Sequence, residues 1–234
     1  MELLEVKHIS KIYPIGDVPT HALSDVSLKV HAGEILVILG PSGSGKTTLL
    51  NILSGLDNPT KGSILFQGED LTNYSERKLT QFRKQHLGFI FQTYNLLEHL
   101  NVYENVLVGK NLSKQDVDVD QILEVVGLSK HRKKYMYQLS GGEQQRVSIA
   151  RTMAKQPEIL FGDEPTGALD EVTGKKILKE LVKINELYHT TMILITHNPG
   201  IALIGDRVVR MNSGKIASIQ ENPTRIDPND ISWG

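Results

Sequence analysis

The chain contains no cysteine. Disulfides, thiolate zinc sites and iron–sulfur ligation are therefore excluded, and the composition fits a reducing compartment. It also lacks an excess of charge of either sign: Lys+Arg number 26 and Asp+Glu 27, for a formal net charge of −1. No global field draws it toward nucleic acid or anionic lipid. Long apolar runs are missing too. The run Ile35 to Leu39 falls far short of the ~20 residues a membrane-spanning helix needs. Met1 to Glu5 has neither the basic start nor the apolar stretch of a signal peptide. A cytoplasmic protein is the expectation, and work at a membrane would require spans borrowed from a partner.

What is present is a chain of 234 residues, long enough for one sizeable core. Leu3 to Ile9 and Val26 to Val30 alternate apolar and polar residues, as half-buried strands do. Ile35 to Leu39 is continuously apolar, as a strand covered on both faces would be. Lys46 to Leu53 follows as a helix, and Gly62 to Gln67 and Leu87 to Phe91 read as further strands. From Tyr94 to Gln156 the periodicity turns helical, with Val119, Ile122, Leu123 and Val126 on one face, then Val147, Ile149, Ala150 and Met153. Strand patterns return at Ile159 to Phe161, Met192 to Ile195, Val208 to Met211 and Ile216 to Ile219. Thr173 to Tyr188 is amphipathic. The tail from Gln220 carries Pro223, Pro228 and the only tryptophan, Trp233; its composition allows either disorder or packing back on the core.

Three short motifs carry chemistry. Gly40, Pro41, Ser42, Gly43, Ser44, Gly45, Lys46 and Thr47 match all eight positions of a P-loop, between a strand and a helix. Gly43 and Gly45 let the backbone curl round a triphosphate, and the helix start adds its positive dipole end. Lys46 can reach the β- and γ-phosphates, and Thr47 can place its hydroxyl on magnesium. Next, the strand Ile159 to Phe161 leads through Gly162 to Asp163 and Glu164. Asp163 suits a magnesium site and Glu164 suits a base for an attacking water. On an extended chain the two acids would leave on opposite sides. Finally, Leu139 to Arg146 opens a second helix with Ser140, Gly141 and Gly142, a cradle-like element without a P-loop of its own. It makes most sense completing a site on a second copy of the chain. With no repeat and one P-loop, one catalytic unit per chain is expected.

At Leu139 to Arg146 the sequence resembles the ATP-binding-cassette (ABC) ATPases, over nearly its whole length. The stretches Phe91 to Leu97 and Asp163 to Asp170 resemble cassettes of macrolide-exporter, lipoprotein-release and antimicrobial-peptide-exporter systems most. The resemblance implies an α/β fold: a P-loop NTPase, RecA-like core (residues 1–93 and 157–220) with an antiparallel β edge, an inserted helical subdomain (94–156) and a short tail (221–234). It implies that Tyr13 stacks on adenine, and that Gln92 touches magnesium and the attacking water. Ser140, Gly141 and Gly142 would close on the γ-phosphate held by a second protomer, Asp170 would communicate across that dimer, and His197 would contact the γ-phosphate. The resemblance further implies that ATP would be bound through these groups, the P-loop and the adjoining Thr48, and that Thr47, Gln92 and Asp163 would form the magnesium set. Four residues depart from the commonest family pattern: Glu143, Gly162, Gly167 and Asn198. Glu143 puts a charge near the composite site, and Gly162 is expected to loosen its strand. The other seven histidines lack metal-ligand spacing.

The implied function is an ATP-hydrolysing subunit that powers a membrane transporter, of export or envelope-mechanotransmission type, by ATP-driven homodimer closure. Its partners would be a second copy and an integral membrane permease, with no nucleic acid. It would sit on the inner face of the cell membrane when bound to that permease. Phe89, Phe91, Tyr94, Leu96, Leu97 and Tyr103 are candidates for lining the groove that receives a permease helix, and equally for ordinary core packing. The run Lys130 to Lys134 reads as a solvated face, with lipid contact as a weaker reading. DNA-repair heads of this type flank a long coiled coil, and translation factors carry two cassettes; neither feature is present. A P-loop kinase would need an acceptor pocket and would not need the element at Leu139 to Arg146.

Overall fold

The computed structural model describes residues 1–15 and 18–233. In chain order, β1 (Glu2–Ile15) and β2 (Val18–His31) precede β3 (Ile35–Leu39) and α1 (Lys46–Leu53). Next come β4 (Lys61–Phe66), β5 (Glu69–Asp70), α2 (Glu76–His86) and β6 (Leu87–Phe91). Helices α3 (Val102–Lys110), α4 (Val119–Val125) and α5 (Gly141–Ala154) lie between β6 and β7 (Ile159–Asp163). They are followed by α6 (Glu171–Tyr188), β8 (Thr191–Thr196), β9 (Arg207–Asn212) and β10 (Lys215–Glu221).

The strands form two sheets. One is antiparallel, in the order β2-β1-β4-β5; the other runs β10-β9-β3-β8-β7-β6. From β9 to β6 the second sheet is parallel, and only β10 pairs antiparallel. Alternation in β3 explains how it is covered on both faces. Ile35, Val37 and Leu39 join the core built with α3 to α6, whereas Leu36 and Ile38 join the core built with α1 and the antiparallel sheet. In β2, Val26, Leu28 and Val30 are buried while Ser27 and Lys29 are exposed, the alternation of a one-sided strand.

Parallel order has the consequence that matters for function. The C-terminal ends of β3, β6, β7 and β8 lie on one edge of the sheet, where open α/β sheets place their ligands. Gly40, Gln92, Glu164 and His197 each follow one of those strands directly.

Some details depart from the sequence reading. The surface helix α2 was not anticipated, because only Leu79 and Phe82 of its described residues are buried and the apolar period is too sparse to see. The amphipathic helix begins at Glu171 rather than Thr173, because the Asp170 side chain caps it, accepting from Thr173 N at 3.0 Å. Gly162 does not loosen β7: pairing with β6 and β8 continues through it, and a Cβ there would lie 2.7 Å from Leu194 Cδ2. The glycine permits close packing. Helix α3 crosses α5 so closely that a Cβ on Gly109 would stand 1.9 Å from the Arg151 carbonyl oxygen. Residues 222–233 pack back on the core, with Ile231 only 2% exposed. Among the described residues no helix is long and apolar enough to cross a membrane.

Candidate nucleotide site

A cleft of about 810 Å³ opens at that sheet edge, lined by the P-loop, Asp163, Glu164, His197 and residues Thr20 to Ala22 of β2. The P-loop geometry is dictated locally. Gly43 and Gly45 have φ of +76° and +96°, values that cost L side chains dearly. A Cβ on Gly45 would also lie 2.6 Å from the Ala22 carbonyl oxygen. Gly45 is the N-cap of α1 and offers no side-chain oxygen to the first turn of that helix. The start of α1 therefore presents backbone N–H groups and a positive dipole end to the cleft. Ser44 Oγ is buried without a hydrogen-bond partner. The side chain of Lys46 donates to the carbonyls of Gly40 (2.7 Å) and Pro41 (2.9 Å), so its ammonium sits on the rim of the same loop. Backbone N–H groups at the helix start and an ammonium make a donor set suited to a polyphosphate.

The acids converge on this loop. Burial and the adjacent Glu164 push the Asp163 carboxyl above the usual carboxylate range, while Lys46 pulls it back. Glu164 departs from the extended-chain expectation. Its φ is +47°, a left-handed conformation that costs a non-glycine residue about 1–3 kcal/mol. The turn is pinned by Glu164 N donating to Ile195 O (3.1 Å) and Gly167 N donating to Glu164 O (2.9 Å). Asp163 and Glu164 consequently both face the cleft rather than opposite sides. Glu164 Oε1 lies 2.8 Å from His197 Nδ1. A bond from Nδ1–H to this carboxylate ties the imidazole ring to Glu164. Thr196 Oγ1 donates to the other oxygen at 3.4 Å.

The chain that carries this site has counterparts among known proteins. The sequence pattern of the ABC transporter family matches residues 23–167. The chain belongs to the ABC transporter family. It is 46% identical to a putative ABC transporter ATP-binding protein (MG065 homolog) of Mycoplasma pneumoniae over 99% of its own length and 50% of that protein's. The cassette thus spans half of that longer relative. It is 41% identical to the bacitracin export ATP-binding protein BceA of Halalkalibacterium halodurans, covering 92% of the chain and 87% of BceA. Its fold matches the dimeric ATP-binding cassette MJ0796, solved in a post-hydrolysis state bound to ADP and Pi. There the TM-score is 0.84 and the identity 34%, covering 95% of this chain and 100% of that one.

Within the cassette, Tyr13, Gln92 and Asn198 lie outside the set of residues that line the cleft. Tyr13 donates to Asp57 Oδ2 at 2.7 Å, and Lys11 Nζ lies over its ring, 4.8 Å from the centroid. Burial and the Asp57 carboxylate raise its hydroxyl pKa, with Thr48 of α1 as an opposing partner. Gln92 is exposed and lies beside Gly167, where a Cβ would come within 3.1 Å of Gln92 Nε2. Gly167 leaves that space open. Asn198 accepts from Gly200 N at 2.8 Å and so shapes the loop after His197.

Ser140, Gly141 and Gly142 start α5 away from the cleft's lining residues, on the same chain but not in the same site. Ser140 is its N-cap. Glu143 completes a capping box, taking the Ser140 N–H at 2.7 Å and the Ser140 hydroxyl at 2.9 Å. The charge at Glu143 is therefore folded onto the helix end. The Ser140 backbone N–H, more than any other partner, holds its carboxyl below the ordinary value of 4.5. A depressed acid stabilises the fold above its unfolded pKa, and that contribution is lost as pH falls through the folded value. Glu143→Gln is expected to destabilise the fold at pH 7 by a few tenths of a kcal/mol after screening, lowering the thermal midpoint slightly. The difference should shrink as the pH falls below the ordinary carboxylate value of 4.5, a trend that paired melting curves would reveal.

Two side chains that sequence reasoning passed over organise this region. Gln145 is fully buried and donates to the Pro165 carbonyl at 2.6 Å, tying α5 to the loop after β7. A glutamine on the apolar face of α5 was the available signal. Arg151 donates to the carbonyls of Asn95 (2.7 Å) and Tyr94 (3.2 Å), fastening the loop after Gln92 to the same helix. Nothing local in the sequence announces that pairing.

Proposed function

We propose that the chain is the ATP-hydrolysing nucleotide-binding subunit of a membrane transporter, of export or envelope-mechanotransmission type, driven by closure of a homodimer. The observation that carries this reading is the Glu164–His197 pair placed over a P-loop in one cleft. In the reading, the P-loop amides and Lys46 hold the phosphates, and Tyr13 meets the adenine. Glu164 takes a proton from the attacking water, and His197, oriented by Glu164, contacts the terminal phosphate. Thr47, Asp163 and Gln92 would hold magnesium, which supplies charge neutralisation on the phosphates when bound. Their oxygen-donor chemistry suits that ion. Ser140 to Gly142 and Asp170 would serve the site of a second copy, since α5 opens outside its own cleft. The rest is positioning and electrostatics.

On this reading residues 94–156 act as a helical subdomain on a core of 1–93 and 157–220. An apolar groove of about 290 Å³ lies beside it, lined by Leu87, Phe89, Leu97, Val108 and Leu112 among others. It supports docking of a permease helix, which would place the cassette on the inner membrane face. Of the sequence candidates, Phe89 and Leu97 line it, and Phe91 stacks on Phe89 with centroids 5.6 Å apart. Leu96 and Tyr103 instead pack on the core, and Tyr94 lines a separate cleft. Arg132 of the basic run pairs with Asp120 at 2.8 Å and covers the Tyr103 ring. The two relatives described as ATP-binding proteins, one of them for bacitracin export, favour transport over a soluble kinase.

The test is direct. Purified chain with magnesium and ATP is expected to release phosphate without any phosphoryl acceptor, and to become dimeric by light scattering while ATP is bound. Phosphate transfer that requires an acceptor, or a monomer under all conditions, would overturn the proposal.

A further inference from the structure

We propose that residues 222–233 are a positioning strap for the nucleotide site, with Trp233 as the residue that sets it. This rests on the hydrolytic reading above.

The strap is built rather than draped. Its start is anchored by Asn222, whose side chain donates to the carbonyls of Ala202 (3.1 Å) and Gly205 (2.8 Å). Arg225 then donates to Asp206 Oδ1 at 2.7 Å and Oδ2 at 2.5 Å, and to Asn185 Oδ1 of α6 at 2.7 Å. Asp206 also accepts from Ile35 N at 2.8 Å, so one carboxylate joins the tail to the strand that leads into the P-loop. Ile231 is buried in the core shared by β3 and α6. These anchors fix where the last described residues must lie.

Those last residues press on two functional elements at once. A Cβ on Gly200 would stand 2.0 Å from the Ser232 carbonyl oxygen, and 3.2 Å from Asn198 Oδ1. Gly200 ends the short loop that begins at His197. A Cβ on Gly174 would stand 2.2 Å from Trp233 Cη2. Gly174 lies in α6, directly after Thr173, whose backbone N–H is capped by Asp170. Thr173 in turn packs against Gly142, where a Cβ would approach its Cγ2 to 2.2 Å. Glycine at both seats leaves room for the tail, and no other residue would.

The result is a continuous packed path: Gly142 at the start of α5, Thr173 and Gly174 of α6, Trp233 and Ser232 of the tail, Gly200, and then His197 against Glu164. The side chain of His197 is 68% exposed. Its ring is therefore oriented by Glu164 and by the path of its loop, not by enclosure. Removing the indole frees that loop and the first turns of α6 to move relative to each other. A small misplacement of this kind is costly in rate and nearly silent in ground-state binding.

Trp233 is the only tryptophan, so its emission reports the strap without a label. In the full chain, ATP-dependent phosphate release and ATP titration are measured for wild type, Trp233→Phe, Trp233→Ala and Gly174→Ala. Wild-type emission is followed as ATP is added. Trp233→Ala and Gly174→Ala should each lower kcat about 10-fold, with KM for ATP within about twofold of wild type. Trp233→Phe should restore most of kcat, and ATP should shift the wild-type emission. Gly174→Ala guards against a folding artefact, because alanine favours the helix while its methyl displaces the ring. Wild-type kcat in both alanine variants, or emission indifferent to saturating ATP, would overturn the strap. A wild-type chain that releases no phosphate would remove the hydrolytic reading instead, and the emission change would still decide the strap.

Discussion

Glu164→Gln is expected to reduce steady-state ATP hydrolysis by about 10²–10⁴-fold, the usual contribution of a positioned general base. ATP affinity should stay within about twofold, because the loss is confined to the transition state. The substitution keeps the shape and the acceptor oxygen that faces His197 Nδ1 at 2.8 Å. It removes the charge and the basicity, and puts an NH2 group where the second oxygen accepts from Thr196 Oγ1. The backbone turn at φ +47° is unaffected by side-chain chemistry, so the loop that aims residue 164 persists. With binding intact and hydrolysis blocked, the ATP-bound dimer should accumulate and be visible by light scattering. Hydrolysis at the wild-type rate would deny Glu164 the role of base.

Lys46→Ala is expected to weaken ATP binding by about 10- to 100-fold, the equivalent of a lost charge-assisted hydrogen bond of about 1.5–3 kcal/mol. Calorimetry on the folded variant measures this directly. Lys46 is 8% exposed, and its ammonium rests on the Gly40 and Pro41 carbonyls. A polyphosphate in the loop gives it a stronger acceptor than those carbonyls. Circular dichroism would confirm that the emptied space leaves the fold intact. Unchanged affinity in a folded variant would contradict the cradle.

Much of this site can be read from contiguous residues. The P-loop is legible because its geometry is local: glycines at +76° and +96°, then a helix start, all lie within Gly43 to Leu53. The caps by Ser140 and Asp170 are just as local, each reaching only three residues along the chain, yet the Asp170 cap escaped the sequence reading, which started α6 at Thr173. Glu164 was legible as an acid but not in its direction, because left-handed backbone at a non-glycine residue is imposed by its surroundings. Those surroundings include a bond to Ile195 O across the sheet. Gly162 was misjudged for a related reason. Its value lies in the nearness of Leu194 on the neighbouring strand, not in its own conformational freedom. Helix α2 escaped notice because a helix that buries little leaves little periodicity.

Residue order by itself determined the phosphate cradle, the chemistry of the two acids, the helix caps and the run of apolar strands, since each depends on contacts within a few residues. Only the tertiary structure decided that β3, β7 and β8 lie side by side and parallel, which brings Lys46, Glu164 and His197 into one cleft. It alone joined Arg151 to the loop after Gln92, and seated Trp233 on Gly174. Such meetings are set by how buried surfaces pack across long stretches of chain, and no local preference of the residues involved specifies them.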